Sequence, residues 1–147
     1  MGRTALILSS SHGHTMCVDQ LLRHGADKDA QSKSGETALM EACSNGHNAV
    51  VQRLLRAKAK LKIKDHGGNT ALVLASFFGQ TTAVRLLIRA AGGRVGTREE
   101  RSRKMALECA KKNGHKGVVA ILLEATVEAG AMKRGKSEGG LTAALEG

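Results

Sequence analysis

The sequence predicts an all-α fold, a solenoid of stacked antiparallel helix pairs joined by short finger loops, on the strength of three observations. Gly2-Arg3-Thr4-Ala5-Leu6 recurs as Gly35-Glu36-Thr37-Ala38-Leu39 and as Gly68-Asn69-Thr70-Ala71-Leu72, at steps of 33 residues. A fixed period of that size marks a repeat architecture. Within each period a glycine separates two runs free of helix breakers, and the second run spaces its apolar residues along one helix face. Composition agrees: 41% of residues are hydrophobic, yet the only aromatics are Phe77 and Phe78 and there is no Trp, Tyr or Pro. Leu, Val, Ile, Ala and Met must build the core, a set suited to close helix packing rather than to a sheet.

The first helix of a unit opens after Thr4, Thr37 or Thr70, whose hydroxyl can accept a hydrogen bond from an orphan backbone N–H. Leu6, Leu39, Leu72 and Leu107 fill one repeating site, and Ser9, Ala42, Ala75 and Ala110 a second where only small side chains occur, allowing two helix axes to approach. Gly13, Gly46, Gly79 and Gly114 end this helix, at steps of 33, 33 and 35, because a left-handed residue without a Cβ is favoured there. The second helix carries Val18, Leu21 and Leu22, repeated as Val51, Leu54 and Leu55, as Val84, Leu87 and Ile88, and as Val119, Leu122 and Leu123. Stretches such as GADKDAQSKSGE then supply turn residues for a projecting finger. No pair can bury its apolar face alone, so stability must come from stacking. The expected units are residues 1–33, 34–66, 67–101 and 102–126, the last with two extra residues between Ile88 and Met105. Residues 127–147 are Gly-, Ala- and Lys-rich and are expected to be a disordered tail, or the start of a truncated fifth unit at Gly140–Ala143.

Charge and cysteine content bound the function. Lys and Arg number 23 against 13 Asp and Glu, a net charge of +10 that favours an acidic partner surface or a polyanion. Three cysteines, Cys17, Cys43 and Cys109, sit in apolar runs, which argues against a disulfide framework. The N-terminus lacks a full signal-peptide core, and no stretch approaches the roughly 20 apolar residues of a membrane span. Met1-Gly2 is followed by Leu6 where a myristoylation motif wants Ser or Thr. A cytoplasmic monomer is expected, with the nucleus the alternative, although Lys133-Arg134-Gly135-Lys136 is short for a nuclear signal.

Chemistry finds little to work with. His12, His14 and Cys17 could be drawn as metal ligands, but His14 has counterparts at His47 and His115, and Cys17 occupies the site of Val50, Ala83 and Val118, which indicates helix-face packing. Cys43 and His47 could be drawn as nucleophile and base, but Gly46 reverses the chain between them and Cys43 aligns with Ser10 and Ser76 as a small core residue. With no phosphate loop and no paired carboxylates on one face, no enzyme activity, metal or cofactor is expected. Lys58, Lys60, Lys62 and Lys64 alternate with Ala59, Leu61 and Ile63, as an extended finger with one basic edge would, either solvating the array or contacting phosphate. A second basic stretch, Arg94 to Lys104, is partly offset by Glu99 and Glu100.

With these residues in hand, the sequence resembles the ankyrin repeat over residues 1–126, through GRTALILSSSHGHTMCVDQLLRHGAD, GETALMEACSNGHNAVVQRLLRAKAK, GNTALVLASFFGQTTAVRLLIRAAGG and RKMALECAKKNGHKGVVAILLEA. Ala replaces the family's preferred Pro after the capping position, and Ile7, Met40, Val73 and Glu108 stand where the family has His. Both changes are expected to lower stability a little. Lys58 replaces the Gly that ends a second helix, and Met105 the capping Thr of the fourth unit.

The resemblance implies a non-catalytic scaffold or adaptor that binds a partner protein through its concave face and finger tips. Transferred unit by unit, the partner-binding residues are Arg3 and His12; Lys33, Glu36 and Asn45; His66, Asn69, Phe77 and Phe78; and Arg101, Lys104, Lys112 and Asn113. An aromatic pair ringed by polar and basic groups has the composition of a binding hot spot, the competing expectation being that a Phe turns inward to fill space. The expected partner is a protein with an acidic or mixed apolar-acidic segment. Nucleic acid or an anionic membrane, met by the Lys58–Lys64 edge, is the alternative, and a regulatory segment of a larger protein a third.

Overall fold

The computed structural model describes residues 2–92 and 97–145. Their regular elements are helices, in the order α1 (Ala5–Ser11), α2 (Thr15–Arg23), α3 (Ala38–Ser44), α4 (Asn48–Arg56), α5 (Ala71–Phe77), α6 (Thr81–Ala90), α7 (Thr97–Lys112) and α8 (Lys116–Leu145). Each hairpin packs its two helices together, and the hairpins stack in register as two layers. One layer runs α1, α3, α5, α7 and the other α2, α4, α6, α8, with contacts between successive members of each row.

Local chemistry sets the ends. Thr4, Thr37 and Thr70 sit in extended backbone, and their hydroxyls accept from the amides of Ile7, Met40 and Val73 at 3.2, 3.3 and 3.5 Å. Gly13, Gly46, Gly79 and Gly114 then turn the chain at φ of 71 to 74°. Lys58 adopts φ 63° at the end of α4, the left-handed geometry that Gly25 supplies after α2. The backbone demands this shape, and Lys58 takes it at a steric cost that glycine would not incur.

Packing buries one apolar seam through the stack. Val18, Val51 and Val84 are all inaccessible, whereas Val119 is half-buried against the same core. Val50, Ala83 and Val118 are buried too, but their counterpart Cys17 is exposed, correcting the expectation of helix-face packing there. Within the described residues, α4, α6 and α8 each pack on the second helix of the unit before, and their Val50, Ala83 and Val118 are the buried members of this site. Ile7, Met40 and Val73 are buried, so three of the four places where the family carries His are filled with apolar side chains, while Glu108 at the fourth is exposed. Each of the three contributes about 1.5–3 kcal/mol of burial, which offsets the lost polar contacts. The site of small residues behaves as expected, with Ala42, Ala75 and Ala110 fully enclosed.

A polar ladder crosses the units. His47 donates from Nε2 to the carbonyl of Ser11 at 3.0 Å, Gln80 from Nε2 to that of Ser44 at 3.1 Å, and His115 from Nε2 to that of Phe77 at 2.9 Å. Each donor begins a second helix and reaches the last turn of the preceding unit's first helix. The fingers are tied likewise: Gln31 Nε2 donates to the Lys64 carbonyl, Lys60 N–H to Asp29 Oδ1, and His66 N–H to the Ser34 carbonyl.

The fourth unit departs from the pattern. α7 has 16 residues where α1, α3 and α5 have 7, so Arg101 to Lys104, expected near a finger, are helical. No Gly interrupts TREERSRKMALECAKK, and its residues favour helix continuation over a turn. α8 in turn continues from Lys116 through the stretch expected to be a tail, as far as Leu145.

Candidate protein-docking surface

The last residue of each first helix and its C-cap form a row that changes chemistry from unit to unit: Ser11-His12, Ser44-Asn45, Phe77-Phe78 and Lys112-Asn113. Phe77 is 46% exposed and Phe78 51% exposed, so neither turns inward to fill the core. Their rings meet edge to face, with centroids 5.0 Å apart at 82°. Leu74, partly buried, lies one turn before Phe78 on the same face of α5. The carbonyl of Phe77 is held by His115, so a unit boundary pins the backbone that presents the two rings.

Polar neighbours in the row are ordered by local bonds. Asn45 and Asn113 donate from Nδ2 to the carbonyls of Glu41 and Cys109, at 2.9 and 2.8 Å. His12 donates from Nδ1 to the Leu8 carbonyl at 2.9 Å and stacks on His14 with centroids 5.9 Å apart. His14 stacks within its own unit, whereas its counterparts His47 and His115 bond across a unit boundary.

Just before α1, Arg3 bridges to the second unit, meeting Glu41 at 2.9 Å and Glu36 at 3.7 Å. Burial pushes the Glu41 carboxyl above its ordinary value, opposed by Arg3 and reinforced by Glu36. Lys33 and His66 are exposed on finger tips, while Asn69 is tied by its amide N–H and Nδ2 to Asp65. Arg101, Lys104 and Lys112 are exposed along α7. Of the candidate residues, Arg3 and Glu36 thus meet in an ion pair that Glu41 joins, the phenylalanines stand in the third unit, and Arg101, Lys104 and Lys112 lie on α7.

Three features lay beyond the reading of the sequence. The bridging role of His47, Gln80 and His115 was hidden because Gln and His share the site, although both can donate through a side-chain nitrogen. Leu8, 43% exposed one turn before His12, belongs to the same face as its partner in the row. Arg103 is buried on α7, a position reached by stepping back three and seven residues from Ala106 and Ala110.

Reactive chemistry is sparse. Cys43 is fully enclosed, and burial pushes its thiol far up, the opposite of what activates a nucleophile. Among the described residues, no three His, Cys, Asp or Glu side chains gather as metal ligands, and no helix is long and apolar enough to cross a membrane.

Capped helix pairs stacked in two layers define a helical repeat protein of the solenoid class. The family model for ankyrin repeats in three copies matches residues 1–65 and 49–133. The chain therefore belongs to the ankyrin-repeat family, whose members are in general protein-interaction modules and typically non-catalytic. Comparison with curated proteins finds no match.

Proposed function

We propose that the chain is a non-catalytic scaffold or adaptor module that docks a protein segment carrying acidic and apolar side chains. The observation that carries this reading is the exposed edge-to-face pair Phe77 and Phe78, the only Phe, Tyr or Trp residues in the chain, standing at a pinned unit boundary. Exposing an aromatic pair costs free energy that burial against a partner would recover, and rigid presentation lowers the ordering cost of binding. The net charge of +10, with Lys33, Arg101, Lys104 and Lys112 exposed, steers an acidic segment toward the array. Arg3, His12, Glu36, Asn45, His66, Asn69 and Asn113 would complete the polar rim.

The test is affinity capture with the native chain and the double variant Phe77→Ala, Phe78→Ala. Partner capture is expected to fall by about tenfold or more, with helix content by circular dichroism unchanged, as for hot-spot side chains worth about 2 kcal/mol. Loss of the fold instead would make the rings structural and end this reading. A second reading rests on the finger edge: Lys58, Lys60, Lys62 and Lys64 are all exposed, while Ala59, Leu61 and Ile63 pack against the core. That edge would favour a polyanion, and its signature is binding that falls steeply with salt and ignores the two phenylalanines.

A further inference from the structure

Arg103 is an anomaly of the fold. It is only 6% exposed, its Nη1 is buried without a hydrogen-bond partner, and no ion pair is found for it among the described residues. A buried guanidinium nitrogen without a partner is destabilising, since the hydration it loses is not replaced. Arg103 lines a cavity of about 540 Å³ between the second finger, the end of α6 and the start of α7. Its other walls include the apolar Leu61, Leu72, Leu87 and Ile88, with Lys64 and Arg101 supplying further positive charge.

In the second finger Ala59, Leu61 and Ile63 pack against the core. Volume, apolar lining and a convergent polar group are the attributes of a small-molecule site, and the size falls within the roughly 300–1,000 Å³ of such pockets. Among the described residues the other buried side-chain atoms without partners, Ser10 Oγ and Asn48 Oδ1, carry no charge and line no part of this cavity.

The geometry points to a binding site for a small amphipathic carboxylate, its head on the Arg103 guanidinium and its hydrocarbon chain against Leu72, Leu87 and Ile88. The planar guanidinium fork matches a carboxylate, and a charge-assisted bond to the buried Nη1 in this partly open cavity replaces the hydration that folding removed there. An apolar chain alone would leave the cation uncompensated, and a small inorganic anion would leave the apolar walls unfilled. Neither phenylalanine lines the cavity, so the assignment stands independently of the docking surface.

The test is calorimetric titration of the full chain with decanoate, with decan-1-ol and acetate as comparators. Saturable one-to-one binding of decanoate is expected, and at least tenfold weaker binding of either comparator. Arg103→Met is expected to weaken decanoate by about tenfold to a hundredfold, the range for a hydrogen bond to a charged group. The same variant should leave the unliganded chain as heat-stable as before or more so, because it removes an uncompensated charge. Ala91→Phe, which places a ring in the cavity wall, should abolish uptake while helix content persists. Decanoate that fails to bind, binds no better than decanol, or binds equally to either variant overturns the assignment. So does an Arg103→Met chain that loses stability, for Arg103 would then be holding structure.

Discussion

Replacing Gly13 with alanine probes the joint between the first two units. Gly13 lies at φ 74°, and a Cβ there would stand 2.6 Å from Nδ1 and 2.9 Å from Cε1 of His47. The ring must move, and with it the bond from its Nε2 to the Ser11 carbonyl. The left-handed backbone costs alanine about 1–2 kcal/mol. The displaced hydrogen bond adds about 0.5–1.5 kcal/mol, for a total of about 1.5–3.5 kcal/mol. Gly114 is the natural control, since it has the same geometry at φ 72° but nothing within 4 Å of the added Cβ. Gly114→Ala should therefore show the backbone cost alone, and any gain from a stiffer unfolded chain applies to both variants. Urea unfolding followed by circular dichroism measures both, and a cycle with His47→Ala isolates the contact, with an expected coupling of about 0.5–1.5 kcal/mol. A Gly13→Ala cost no larger than that of Gly114→Ala, or one unchanged when His47 is already alanine, would refute the joint as described.

Other expectations follow from the same geometry. Lys58→Gly relieves a left-handed lysine at φ 63° and should raise the unfolding free energy by about 0.5–1 kcal/mol, less than the full steric cost because glycine loosens the unfolded chain; a lower urea midpoint would contradict this. Ala75→Leu forces a larger side chain into a fully enclosed site in the first-helix row and should cost about 1–3 kcal/mol, seen as a lower melting temperature. For Glu41, burial raises the native carboxyl above its ordinary value of 4.5, so the folded chain holds this proton more tightly than the unfolded chain does. Its stabilising contribution is greatest below the unfolded value and declines as pH rises through the native one, so Glu41→Gln should flatten that part of the stability profile. Urea midpoints at mildly acidic and neutral pH check it, and a native-like slope in the variant would assign the dependence to other groups.

What could be read from the residues was whatever the unit encodes by itself. Thr4, Thr37 and Thr70 cap because a hydroxyl and an orphan amide are three residues apart, and Gly13, Gly46, Gly79 and Gly114 turn because the local backbone requires positive φ. The spacing of Val18, Leu21 and Leu22 marks a helix face without any knowledge of what covers it. The candidate surface was legible to the same extent: the phenylalanines could be placed at a helix end, and the basic residues assigned to their units.

Stacking decided the rest, because in a quasi-one-dimensional array the environment of a site depends on its neighbouring unit. Cys17 and Val50 occupy one repeat position, yet one is exposed and the other enclosed, since only the second has a unit packed over it. His14 and His47 differ likewise, one stacked on a neighbour in its own unit and the other bonded across a boundary. Arg103 is the extreme case. By composition it belongs to a basic run, but the helical path of α7 turns its side chain inward beside a cavity, and no one-dimensional pattern records what the neighbouring unit places around it.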